Sequence, residues 1–288
     1  MTMKSILAPL RGAACDSVTL DTALLAAKAF GSHIECLYVR LDPRDLMLRT
    51  AAVGMGMPVI SPELWTALED EEKSRHGLAR KTFDAFCTSN GICAAEAQPV
   101  PGAVTATWHE TSGDAADGVV HFGRTSDAIV LSREPAGSVD FFGNVVMQCG
   151  KPVIVAADPV PSALASTVAI AWKETAEAAR AITAALPLLK KATKVVIISA
   201  DEGGSGAKAA ASTSRLVAAL RRNGIEAQVR HLARTPDVQG DILNAALEEH
   251  ADLLVMGAYS HSRARELILG GLTRRVLQEA KLPVLLCH

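Results

Sequence analysis

The stretch DLLVMGAYSHSRARELILGGLTRRVLQEAKLPVLLCH, residues 252–288, decides the fold. Leu253 to Met256 form a short apolar run that stops at Gly257, and Pro283 to Cys287 form another. Runs of this length, bounded by turn residues, fit strands buried on both faces of a parallel sheet. Between them Leu267, Ile268, Leu272, Val276 and Leu277 share one face of a helical pattern, with Arg263, Arg265, Arg274 and Arg275 largely on the other. Gly257 permits a sharp turn after the strand. Gly270 and Gly271 let backbone amides approach a ligand at a helix N-terminus, where unpaired N–H groups and the helix dipole favour an anion.

Upstream, the same alternation continues. Strands are expected over Thr167–Ala171, Lys194–Ser199 and Ile225–Leu232, and helices over about Glu174–Lys190, Lys208–Asn223 and Pro236–His250. Strands alternating with helices of ten or more residues imply a parallel, doubly wound sheet with helices on both faces. The first half repeats the plan. SILAPL at Ser5–Leu10 matches TVAIAW at Thr167–Trp172, Ile34–Val39 matches the strand at Lys194, and Gly91 matches Gly224. DAIVLS at Asp127 matches DLLVMG at Asp252, and KPVIVA at Lys151 matches LPVLLC at Leu282. Two copies follow, residues 1–157 and 167–288, joined by a Pro- and Ala-rich linker. The first carries an insertion at about Leu41–Leu64 with the sequence GMGMP at Gly54–Pro58. It reads as an apolar flap over a pocket or a neighbouring subunit, or equally as a packed loop.

Composition narrows the function classes. With 49% hydrophobic but 4% aromatic residues, the cores are filled by Ala, Val, Ile and Leu. A net charge of −2 supplies no basic field for nucleic acid. No apolar run reaches the roughly 20 residues needed to span a bilayer, and MTMKSILAPL leads into a strand rather than a signal-peptide cleavage site, so membrane insertion is not expected and the cytoplasm is. Six scattered cysteines without C-x-x-C spacing point to reduced core residues and to no metal, Cys287–His288 included. The nucleophile elbow, the phosphate-binding P-loop and the dinucleotide fingerprint are all missing, which disfavours a self-contained enzyme, and no catalytic residue is assigned.

The series Gly257, Ser260, Gly270, Gly271, with nine residues between Ser260 and Gly270, resembles the nucleotide-binding signature of the universal stress protein family. The resemblance spans nearly the whole chain and is strongest over residues 224–288. It implies two tandem doubly wound parallel five-stranded sheets flanked by helices, of the adenine nucleotide alpha hydrolase-like type, packed as a pseudo-dimer. Two signature positions depart from the family: its second glycine is Ser260, and its hydroxyl residue after the last glycine is Gly271, with Thr273 nearby as a substitute. A third departure falls at the end of the first strand, where nucleotide-binding members carry an aspartate and this chain has Leu10 and Trp172. An indole there either stacks on a base or fills its place.

The site expected from this reading comprises Gly257, Ser260, Arg263, Gly270, Gly271, Thr273 and Trp172, with Arg263 pairing with phosphate. His261 and Ser262 read as loop and helix cap. The first copy looks degenerate, because Ser132-REP replaces the glycine turn and Pro152 follows Gly143 by nine positions, against thirteen from Gly270 to Pro283. Trp108-His109-Glu110, placed near the third helix of the first copy, reads as packing plus surface rather than acid-base chemistry. The resulting function is stress-linked binding of a small anionic ligand, with ATP or AMP as candidates. Alternatives are a nucleotide-independent protein acting through protein partners or as a homo-oligomer such as a dimer, and a slow ATP hydrolase.

Overall fold

A computed structural model describes residues 2–41, 61–94, 102–133, 139–200, 206–233, 235–258 and 271–288. It contains one sheet of eleven strands with eight helices among the described residues. The first half supplies β1 (Ser5–Leu10), β2 (His33–Arg40), the two-residue β3 (Cys93–Ala94), β4 (Thr105–Ser112), β5 (Ala128–Leu131) and β6 (Val153–Val155). Its helices are α1 (Cys15–Lys28), α2 (Pro62–Asn90), α3 (Ala115–Gly123) and α4 (Val139–Gln148). The second half supplies β7 (Thr167–Ala171), β8 (Lys194–Ala200), β9 (Gln228–Leu232), β10 (Leu253–Gly257) and β11 (Val284–Cys287). Its helices are α5 (Ala176–Leu189), α6 (Gly206–Arg222), α7 (Val238–Glu248) and α8 (Gly271–Glu279).

The strand order β3-β4-β2-β1-β5-β6-β11-β10-β7-β8-β9 reads the same from either end once the short β3 is set aside. Pairing inside each half is parallel. The halves join where β6 and β11 pair antiparallel, Val284 with Val155, Leu285 with Ile154 and Leu286 with Val153. The expected pair of five-stranded sheets is thus edge-joined into one. Antiparallel joining places the C-terminal strand ends of the two halves at opposite edges. Each sheet face carries one core running through both halves: α1, α2, α5 and α6 pack on one face, and α3, α4, α7 and α8 on the other.

The duplication is visible in individual bonds. Asp127 accepts from Lys4 N at 2.6 Å and Ser5 N at 3.1 Å, while Asp252 accepts from Ser166 N at 3.0 Å and Thr167 N at 3.2 Å. In both halves a carboxylate thus satisfies the amides that open the first strand, where no neighbouring strand reaches. Gly91 (φ 61°) and Gly224 (φ 76°) close α2 and α6 in the left-handed conformation that a glycine adopts without penalty. Ile92 and Ile225 then donate back to Cys87 O and Leu220 O.

Two sequence expectations are refined. Trp108–Glu110 lies on β4, between β2 and β3, and near the third helix of its half as expected, with His109 packed on Phe122 of α3. Of the Leu41–Leu64 insertion, residues 42–60 fall outside the described residues, and Pro62–Leu64 already open α2. Ser61 caps that helix by accepting from Leu64 N at 3.3 Å, with Pro62 in the first turn where its missing N–H costs nothing.

Candidate functional site

At the C-terminal ends of β7, β8 and β10 the second half encloses a cavity of about 550 Å³. Trp172 follows β7, Ser199 and Ala200 end β8, and Met256 and Gly257 end β10. Thr175 and Ala178 come from the start of α5, Lys208 and Ser212 from α6, Val238 and Gln239 from α7, and Gly271 and Thr273 from α8. The first turns of four helices therefore face one space, as parallel β-α units require at this edge. Their dipoles favour negative charge there.

Of the residues expected from sequence, Trp172, Gly257, Gly271 and Thr273 line this cavity. Ser260, Arg263 and Gly270, with His261 and Ser262, lie outside the described residues. Gly257 has a packing role that its place at the strand end did not announce. A Cβ there would stand 2.5 Å from Ala178 N and 2.8 Å from Glu177 C, so only glycine lets the first turn of α5 come this close. Gly271 is exposed and opens α8, and the three described atoms nearest a Cβ on it all belong to the Gln239 side chain. Thr273 is buried.

Trp172 is half-buried, and its Nε1 donates to Ser212 Oγ at 3.0 Å. Glu174 pairs with Arg215 at 2.5 Å, and its carboxylate is held below its ordinary range by Arg215 first and by the Ser212 hydroxyl second. A carboxylate is therefore present on this wall, two positions after Trp172. Sequence reasoning missed Glu174, Ser212 and Lys208, since it sought the acid at the end of the strand itself. Arg275 is engaged by Asp237 and by Glu279 at 2.8 Å.

In the first half the loop after β1 is bonded from within. Asp16 accepts from Arg11 N at 3.0 Å, Gly12 N at 2.8 Å and Ala13 N at 3.3 Å, taking up the amides of the β1–α1 loop. Burial nevertheless raises the Asp16 pKa, with those three bonds opposing it. Helix α2 closes over the loop: Arg75 Nε donates to Arg11 O at 3.2 Å, and a Cβ on Gly12 would fall 2.1 Å from Arg75 O. The Arg11 guanidinium lies 4.0 Å from the centre of the Phe141 ring. Gly143 sits inside α4 rather than at its start. Pro135 is outside the described residues.

Residue 133 serves the joint between halves. Arg133 Nη2 donates to Leu282 O at 3.0 Å, and Nη1 to Ala280 O. Trp108, His109 and Glu110 do not assemble a dyad. Glu110 accepts from Trp108 Nε1 at 2.7 Å and contacts His76 at 2.8 Å on the α2 side, whereas His109 packs on Phe122 of α3, on the opposite face. Among the described residues no group of three or more His, Cys, Asp or Glu is placed to hold a metal. Among them, too, no helix is long and apolar enough to cross a membrane. Cys287 is buried in β11, and burial pushes its thiol pKa up.

Comparison with known proteins places this geometry. Residues 150–288 match the profile of the universal stress protein family. A universal stress protein from Archaeoglobus fulgidus DSM 4304 superposes with a TM-score of 0.71 at 18% identity, covering 99% of this chain and 96% of that one. A putative universal stress protein from Pseudomonas aeruginosa UCBPP-PA14 gives 0.57 at 14% identity, covering 99% and 93%. A functionally unknown protein from Pseudomonas aeruginosa PAO1 gives 0.56 at 14% identity, covering 99% and 92%. At these identities the likeness is one of fold. No curated protein matches the chain.

Proposed function

We propose, for a chain that belongs to the universal stress protein family through its residues 150–288, that the second half binds a small anionic ligand, with an adenine nucleotide as the leading candidate. The observation that carries this reading is the cavity of about 550 Å³ at the C-terminal strand edge. Its size suits a small-molecule site, and its position is where open α/β sheets take their ligands. Trp172, Gly257, Gly271 and Thr273 line it, and Ser260, Arg263 and Gly270 complete the site proposed from sequence. Glu174 stands on the cavity wall but is taken up by Arg215, so the nucleoside carboxylate that family members carry at the preceding strand end has no counterpart here among the described residues.

On this reading residues 1–157 and 167–288 are two unequal copies. The first has its loop amides occupied by Asp16, and the second keeps its pocket. The role is binding within a stress response, in the cytoplasm. A thermal-shift titration with ATP, ADP and AMP tests it, comparing the wild type with Ala209→Trp, which places an indole in the cavity from α6. A ligand at 100 times its dissociation constant stabilises by about 2.7 kcal/mol. The shift is expected in the wild type and not in the variant; a wild type that none of the three stabilises refutes the proposal.

A further inference from the structure

We infer that Lys208 ranks the ligands of this cavity by charge, favouring a triphosphate over a monophosphate; the inference rests on the reading of the cavity as a nucleotide site. Lys208 lies in the first turn of α6, is exposed, and lines the cavity. Among the described residues no acid and no carbonyl takes its ammonium.

The first half shows where a basic side chain at this position reaches. Gly91 and Gly224 end α2 and α6 with the same left-handed cap, which brings Arg75 and Lys208 into register. Arg75 Nε donates to the carbonyl of Arg11, in the loop after the first strand of its half. The corresponding loop of the second half, Trp172 to Thr175, is a wall of the cavity. The acid on that wall is already engaged, since Glu174 pairs with Arg215. Lys208 therefore meets a ligand rather than an internal partner. Its flexible stem carries a compact charge suited to a terminal phosphate, and Coulomb attraction grows with each phosphate added. Sequence motifs of the phosphate loop do not contain this residue.

Isothermal titration calorimetry of ATP and AMP tests the inference on wild type, Lys208→Met and Lys208→Arg. Lys208→Met is expected to weaken ATP about tenfold, the scale of one charged hydrogen bond, and AMP by about twofold or less. Lys208→Arg should keep the wild-type order, and raising salt should shrink the ATP advantage. Equal losses for ATP and AMP, or no loss, overturn the inference while leaving the site standing. A wild type that binds neither nucleotide overturns both.

Discussion

Trp172 donates its indole N–H to the Ser212 hydroxyl at 3.0 Å, tying the end of β7 to α6 across the cavity wall. Ser212 is buried, so its hydroxyl is the acceptor on which this indole N–H depends. Removing the hydroxyl leaves a half-buried N–H without its acceptor. Ser212→Ala should therefore cost about 1 kcal/mol, and Trp172→Phe should abolish most of that cost in a double-mutant cycle by urea unfolding. Additive losses would mean that the bond contributes nothing of its own.

The two glycines of the candidate site answer to different constraints, and substitution separates them. At Gly257 the added Cβ meets the backbone of Ala178 and Glu177, which cannot move without shifting α5. Gly257→Ala should destabilise by about 2 kcal/mol or more, as overpacking against fixed backbone does. At Gly271 the described atoms nearest the Cβ belong to the end of the Gln239 side chain, which can swing away. Gly271→Ala gains helix propensity, so its stability should stay within about 1 kcal/mol of wild type. Chemical denaturation of both variants checks the contrast.

Much of this was legible in the residues themselves. The paired strand starts at Asp127 and Asp252 and the helix stops at Gly91 and Gly224 rest on local chemistry, and local chemistry is written in order along the chain. Strand β4 escaped notice because TATWHETS is polar and packs aromatic and charged side chains against α2 and α3, giving no apolar run. The joining of the halves was equally hidden: Val153–Val155 and Val284–Cys287 are short and apolar throughout, and such runs do not say which neighbour they pair with. In the cavity, Gly257 and Gly271 stood out through spacing. Ser212 meets Trp172 from 40 residues away, and Lys208 looks like any exposed lysine of a helix start.

The joint between halves has a polar clasp that can be cut. Arg133 bonds the carbonyls of Ala280 and Leu282, and burial pulls its guanidinium down to about 10. Its desolvation cost and its bonds oppose each other, which makes the choice of substitute informative. Arg133→Ala leaves two carbonyls without their donor and should lower stability by about 2–3 kcal/mol. Arg133→Met fills the same space and should lose less. Equilibrium unfolding followed by two probes should stay single-step in both, since the β6–β11 pairing and both cores still cross the joint. A second transition in Arg133→Ala would show instead that the clasp holds the halves together.

Glu110 gives the first half a pH dependence of definite sign. Its carboxylate is held below the ordinary value, near 4.5, first by the hydrogen bond from His76 and then by that from Trp108, with Arg40 adding to the same effect. A carboxylate depressed in the folded state binds protons more readily once unfolded, so its contribution is fully present above the unfolded value. That contribution is lost as pH falls through the lower folded value. Glu110 is part-exposed, so the effect is about 1 kcal/mol or less. Urea midpoints measured from pH 6 down to pH 3 should fall more gently for Glu110→Gln than for wild type, with the two curves converging at the acid end. Parallel curves would mean that the His76 and Trp108 bonds do not distinguish the two charge states of Glu110.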